Sequence, residues 1–171
     1  HTGGIVGLNV GTVENCTAAV TVTAMGGEYV GGLVGTNSGS TFSSRFGSIH
    51  GSTATGDVTG SSEVGGLVGM LAYGEITACS AAGTVTAYDK NAGGLVGEAG
   101  GMAEPEAIEV TDCHATGAVV MKPGLGDKEF VGGLIGQCDG HTTVARCSAT
   151  GDVVGIVNVG GLIGATGGTV S

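Results

Sequence analysis

Apolar positions in this chain alternate with polar ones over short stretches and nowhere fall at helical spacing. The clearest case is a seven-residue element that occurs five times. It reads Cys16-Thr17-Ala18-Ala19-Val20-Thr21-Val22 at its first occurrence and returns at 52–58, 79–85, 113–119 and 147–153. Small or apolar residues take every second place, while Thr, Ser and Asp fill most of the places between. A period of two predicts a strand with one buried face, because successive side chains point to opposite sides. A further apolar residue stands three before each Cys or Ser, at Val13, Ile49, Ile76, Val110 and Val144.

A second motif lies between these elements: Gly-Gly-(Leu/Ile)-(Val/Ile)-Gly. It begins at Gly3, Gly31, Gly65, Gly93, Gly132 and Gly160, with spacings of 28, 34, 28, 39 and 28 residues. Recurrence in this range predicts a repeat architecture, in which each unit buries its apolar face only against its neighbours. The minimal unit holds two short strands joined by Gly-rich turns. Residues 1–171 therefore read as one all-β domain, a β-solenoid of five to six stacked coils. Equivalent residues of successive coils, about 4.8 Å apart, become ladders. One inward ladder is Cys16, Ser52, Cys79, Cys113 and Cys147. Another is Ile5, Leu33, Leu67, Leu95, Leu134 and Leu162. Read as a strand, the pentapeptide is apolar on both faces. If Leu points in, then Val30, Val64, Val131 and Val159, with Val34, Val68, Val96, Ile135 and Ile163, point out. Loops or a second layer cover that stripe, or it is an exposed contact surface.

Composition narrows the possibilities. With 38 Gly, no Trp, three Phe and three Tyr, the core is thin and spread along an axis. The formal net charge of −10 argues against nucleic-acid partners, which require a basic footprint, and suits a soluble extracellular surface. Four of the five Cys share the inward ladder, and Cys138 shares a position with Asn9, Asn37, Leu71, Ala99 and Thr166. Buried free thiols are expected, since adjacent rungs place Cβ atoms slightly too far apart for an unstrained disulfide. No zinc-ligand spacing occurs. There is no apolar run long enough to cross a membrane as a helix. Neither end shows a polar capping repeat, so the chain reads either as a segment of a longer array or as a unit whose open ends stack into a filament.

Specific function is expected in the insertions, because loops on a regular solenoid vary without disturbing its core. One lengthens the second coil over 36–48, and two lengthen the fourth over 98–109 and 122–130. Phe42, Arg45 and Phe46 are candidates for a glycan or protein contact, or for packing over the coil. Glu104, Glu106 and Glu109, with Asp112, offer oxygens suited to calcium, although no calcium-loop spacing is present and solvated carboxylates are the default. The five basic residues are dispersed and no nucleophile–base order stands out, so no catalysis and no cofactor are expected. Asn15-Cys16-Thr17 matches a glycosylation sequon. Its Cys belongs to the inward ladder, and the match reads as coincidence.

The six pentapeptides and the five Cys/Ser-x-Ala-x-Gly-x-Val elements together resemble the GLUG repeat family over essentially the whole chain. Val20 in place of Gly and Ser52 in place of Cys are the departures. The resemblance implies a repeat region of a secreted or surface-anchored bacterial protein, adhesin-like and without catalytic residues. Such a segment would act as a stalk or adhesive scaffold. Its partners would be a protein or glycan of a host or neighbouring cell, or a second copy of itself end to end.

Overall fold

The computed structural model describes residues 1–40, 45–100, 107–122 and 129–171. These residues form a β-solenoid, and no helix occurs among them. Between coils every strand pair is parallel and joins equivalent residues. Each coil carries about five short strand segments, where the sequence marked two. The third coil shows the path. Val58–Gly65 folds back on itself, the chain turns through Gly66-Leu67, and Val68–Leu71 follows. Gly74–Thr77 and Ser80–Ala81 then close the circuit. Repetition turns these segments into four sheets. They are called here the arch sheet, the Val sheet, the outer sheet and the Ala sheet, in chain order.

Two kinds of corner bend the coil. Each Cys or Ser of the inward ladder follows a residue in the left-handed region: Asn15, Gly51, Ala78, Asp112 and Arg146, all with φ between 52° and 55°. A left-handed residue reverses the chain sharply between the outer and Ala sheets, which is why Cys turns inward directly after it. The inward side chain also satisfies backbone exposed by the bend. Cys79 Sγ donates to the Thr77 carbonyl at 3.2 Å and accepts from the Ser52 N–H at 3.4 Å. Cys113 and Cys147 repeat the pattern, and Ser52 Oγ does the same for the Cys16 N–H.

The pentapeptide holds the second corner, at Gly66-Leu67 in the third coil, and is not one continuous strand. Because the chain bends between Leu67 and Val68, both side chains enter the same core, and so do Leu33 with Val34, Leu95 with Val96 and Leu134 with Ile135. Val34, Val68, Val96 and Ile135 are fully buried there and form no outward stripe, while in the last coil Ile163 is only partly buried and Val159 is exposed. Val30, Val64 and Val131 point elsewhere, into a second core inside the arch with Val58, Val85 and Val119.

A waist separates the two cores. A Cβ on Gly66 would lie 3.0 Å from the Ala81 Cβ, and one on Gly94 would lie 2.9 Å from that of Ala115. The same atom would stand only 2.1 Å from the carbonyl oxygen of the equivalent glycine one coil on. The first glycine is excluded from carrying a side chain for another reason: on Gly65 a Cβ would fall 1.9 Å from the Val68 carbonyl oxygen. On the third, Gly69, a Cβ would fall 2.4 Å from the Tyr29–Val30 peptide of the preceding coil. Each glycine of the motif thus answers a different backbone approach. The Leu ladder beside them is fully buried from Leu33 to Leu134, at about 2 kcal/mol for each side chain, whereas Leu162 is partly buried.

Replacing Gly66 with Ala should destabilise the chain by about 3 kcal/mol or more, because the obstructing atoms are backbone. The equivalent Gly161 has nothing within 4 Å of its Cβ position. Gly161→Ala should stay within about 0.5 kcal/mol. Urea denaturation of the two variants side by side measures the difference.

Candidate functional site

The link from the Val sheet to the outer sheet lies at one corner of every coil. In the third coil it is short, Ala72-Tyr73. In the second it is lengthened by an insertion in which Gly39–Ser40 pairs antiparallel with Arg45–Phe46. In the fourth it is lengthened again and rejoins the sheet through Ala107 to Ile108–Thr111. A short turn between two long ones leaves a notch of about 400 Å³. Phe46, Gly47 and Ser48 form one wall, Ala107 and Glu109 the other, and Gly74 and Glu75 lie between.

Buried hydrogen bonds fix the wall to the floor. Asn37 is fully buried, and its Nδ2 donates to the Gly47 carbonyl at 2.8 Å and the Tyr73 carbonyl at 2.9 Å. Its Oδ1 accepts from Asn9 Nδ2 at 2.7 Å. Gly74 has φ +88°, and a Cβ there would strike the Gly47 carbonyl at 2.0 Å, so only glycine lets the insertion approach the third coil this closely. Phe46 leans on Tyr73, with ring centroids 6.2 Å apart, yet remains 38% exposed.

Glu75 and Glu109 are Cα partners on adjacent strands, so two carboxylates stand side by side in the notch. His50 Nε2 lies 3.3 Å from Glu75 Oε1. The Ser48 hydroxyl is turned to Thr12 Oγ1 at 3.3 Å and not to His50, so no hydroxyl–imidazole pair is assembled there. The notch therefore offers an aromatic surface and two anionic hydrogen-bond acceptors.

Of the residues singled out from sequence, Phe46 and Glu109 meet across the notch. Arg45 enters through its backbone, in the short strand beside Phe46. Phe42, Glu104 and Glu106 lie outside the described residues. Asp112 is drawn away from the calcium set, because Arg146 donates to both its oxygens at 2.7 Å and holds its carboxyl below the usual carboxylate range. Among the described residues no three His, Cys, Asp or Glu side chains converge on a metal position. Sequence reading passed over Glu75 and Gly74, and placed Asn37 only as a ladder partner of Cys138. Glu75 and Glu109 precede the equivalent apolar residues Ile76 and Val110, and that shared offset was the available signal.

Two other clusters titrate. All five thiols are free. Cys79, Cys113 and Cys138 are buried, while Cys16 and Cys147 are half-buried. The neighbouring Cys113 thiol, and then the Cys113 N–H, pull the Cys147 thiol down to about 7. Elsewhere a layer of side chains covers the outer face of the Val sheet. His1 stacks on Tyr29 at 5.1 Å, Tyr29 packs on Met70 and Tyr73, and Asn91 Nδ2 donates to Glu98 Oε2 at 2.6 Å. Glu63 lies in this layer, only 7% exposed. Burial first, and then the charges of Glu98, Glu28 and Asp89, push its carboxyl up to about 7 against the opposing pull of Lys90.

Stacked parallel ladders of equivalent residues define a β-solenoid repeat protein. The GLUG motif matches residues 1–23, 26–59, 60–86 and 89–120, more than half of the sequence, and the chain belongs to that family. It is also similar to Halomucin of Haloquadratum walsbyi, 40% identical over 84 residues. That match covers 48% of this chain and 1% of the relative, so the chain spans only a very small part of that protein's length. No solved structure matches.

Two predictions follow from the titrating clusters. A colourless-disulfide thiol assay on the folded chain should titrate two of the five cysteines promptly, Cys147 faster than Cys16, and the rest only on unfolding. Glu63 holds its proton more tightly folded than unfolded. Its contribution to stability is full below the unfolded value of 4.5 and is lost as pH rises through about 7. The loss is on the order of 3 kcal/mol. Glu63→Gln should therefore raise stability at pH 8, leave it little changed at pH 4.5, and flatten the curve of unfolding midpoint against pH.

Proposed function

We propose that this segment is a non-catalytic scaffold of an extracellular surface protein, and that its notch binds a glycan. The surface placement is supported by membership of the GLUG-motif family and by the likeness to a protein named Halomucin. That relative is archaeal, so the surface proposed is a prokaryotic cell surface of either kind. The net charge of −10 suits an exposed, soluble array.

One observation carries the binding role: two insertions at the same corner flank one short turn and bring an aromatic ring and two carboxylates into a cavity of about 400 Å³. Such a volume lies within the range of small-ligand clefts. The half-exposed Phe46 ring offers an apolar surface to the C–H face of a sugar. Glu75 and Glu109 accept hydrogen bonds from its hydroxyls, and bonds to charged acceptors are the stronger ones. The same two charges disfavour sialylated, sulfated or uronic sugars, so the ligand is a neutral glycan or one bearing an amino sugar. The coils below hold the cavity on rigid strands and act as the stalk.

A glycan array probed with the whole chain should show neutral or amino-sugar ligands and discriminate against acidic ones. Phe46→Ala and Glu109→Gln should each weaken the best ligand about tenfold or more, a loss of about 1.4 kcal/mol, with the unfolding midpoint little changed. An array without binding would leave the segment a spacer.

A further inference from the structure

We propose that Asn15 is an acceptor for N-linked glycosylation, and that the sugar projects from the corner between the outer and Ala sheets without touching the stack. The inward Cys16, which in sequence argued against the motif, is what makes the site. Cys16 Sγ donates to the Glu14 carbonyl at 3.3 Å, and its N–H donates to Ser52 Oγ at 3.1 Å. With Cys16 committed inward, both flanking residues of the motif are exposed. Asn15 occupies the left-handed corner at φ 52°, and Thr17 is the outward residue of the next strand. Neither side chain is tied up in a hydrogen bond to another described residue.

The other four asparagines fail on one count or another. Asn9, Asn37 and Asn91 are buried. Asn158 is exposed but has Gly160 two residues on, where the hydroxyl is required.

The corner ladder shows why a bulky group fits at Asn15. Its members are Asn15, Gly51, Ala78, Asp112 and Arg146. The last two reach outward into solvent, with side chains 46% and 67% exposed, so this corner points away from the coils. The residue stacked directly beside Asn15 is Gly51. A Cβ added there would meet only the Asn15 carboxamide, with Oδ1 at 2.7 Å and Cγ at 3.8 Å, so no side chain of the second coil stands at this point of the ladder.

The chemistry needs one co-reactant, a sugar linked through phosphate to a lipid. Asn15 Nδ2 forms a bond to the anomeric carbon, the bond from that carbon to the phosphate oxygen breaks, and the lipid phosphate leaves with the electron pair. Nδ2 gives up one proton, and nothing is oxidised or reduced. The modification shares with the scaffold reading only the requirement that the segment leave the cytoplasm, and the experiment imposes that step.

The full 171-residue chain is secreted, behind an added leader, from cells that N-glycosylate, and the peptide containing Asn15 is mapped by mass. The expected result is a glycan on that peptide, lost in Asn15→Gln and Thr17→Ala and retained in Thr17→Ser. A glycan amidase should release it from the folded chain without denaturant, and the unfolding midpoint should not fall on release. An unmodified Asn15 in the secreted, folded chain would overturn the assignment. So would a glycan that persists in Thr17→Ala, or one released only after unfolding. Each outcome leaves the notch and its ligand untouched.

Discussion

Backbone approach at the pentapeptide governs the rest of the molecule. Parallel hydrogen bonding sets neighbouring coils about 4.8 Å apart. At the waist that spacing stacks peptide on peptide with no gap for a side chain, since a Cβ on Gly66 would sit 2.1 Å from the next glycine's oxygen. The waist also draws the pentapeptide against the Ala sheet, which restricts that strand to alanine at Ala54, Ala81, Ala115 and Ala149. Two narrow cores result in place of one broad one. Small residues at the crossing and Leu, Ile and Val on either side are consequences of a single geometric limit.

The corners solve a second problem. A chain that turns after every short strand exposes amides and carbonyls at every turn, and a buried one left unpaired costs free energy. The inward Cys or Ser meets this by donating to the carbonyl two residues back and accepting from the preceding coil. Serine and cysteine serve alike, which accounts for Ser52 among four cysteines. In the other polar ladder Asn9 and Asn37 bond to each other, while Leu71 and Ala99 simply fill the core. Asn37 adds a function to that structural role, because its two donated bonds hold the insertion wall against the third coil.

Both proposed sites lie where the stack tolerates change. Lengthening the link between the Val and outer sheets leaves the register of both intact, as the pairing of Met70 with Thr36 and of Glu75 with Ser48 and Glu109 shows. The notch is thus a difference in turn length among three consecutive coils, built on strands that do not move to make it. The Asn15 corner is also a ladder position with free side-chain choice, ranging from Gly51 to Arg146.

Much of this was legible in the repeats. Period-two alternation and recurring glycines determined an all-β solenoid, its register and its inward ladders, because each coil repeats the same contacts and equivalent residues must stack. Phe46 and Glu109 stood out as insertion residues for the same reason, since they interrupt the period. Three matters were decided only by the tertiary structure. A strand and a corner look alike when both are apolar, so the burial of Leu67 and Val68 on one side depended on a bend that neighbouring coils impose. Phe46 and Glu109 are 63 positions apart in the chain; only the stacking of coils two, three and four brings them to one notch, with Glu75 between. The exposure of Asn15 and Thr17 on either side of the inward Cys16 was decided by a left-handed corner, because a residue's φ, and hence which neighbours face water, is not written in the identity of the residue alone.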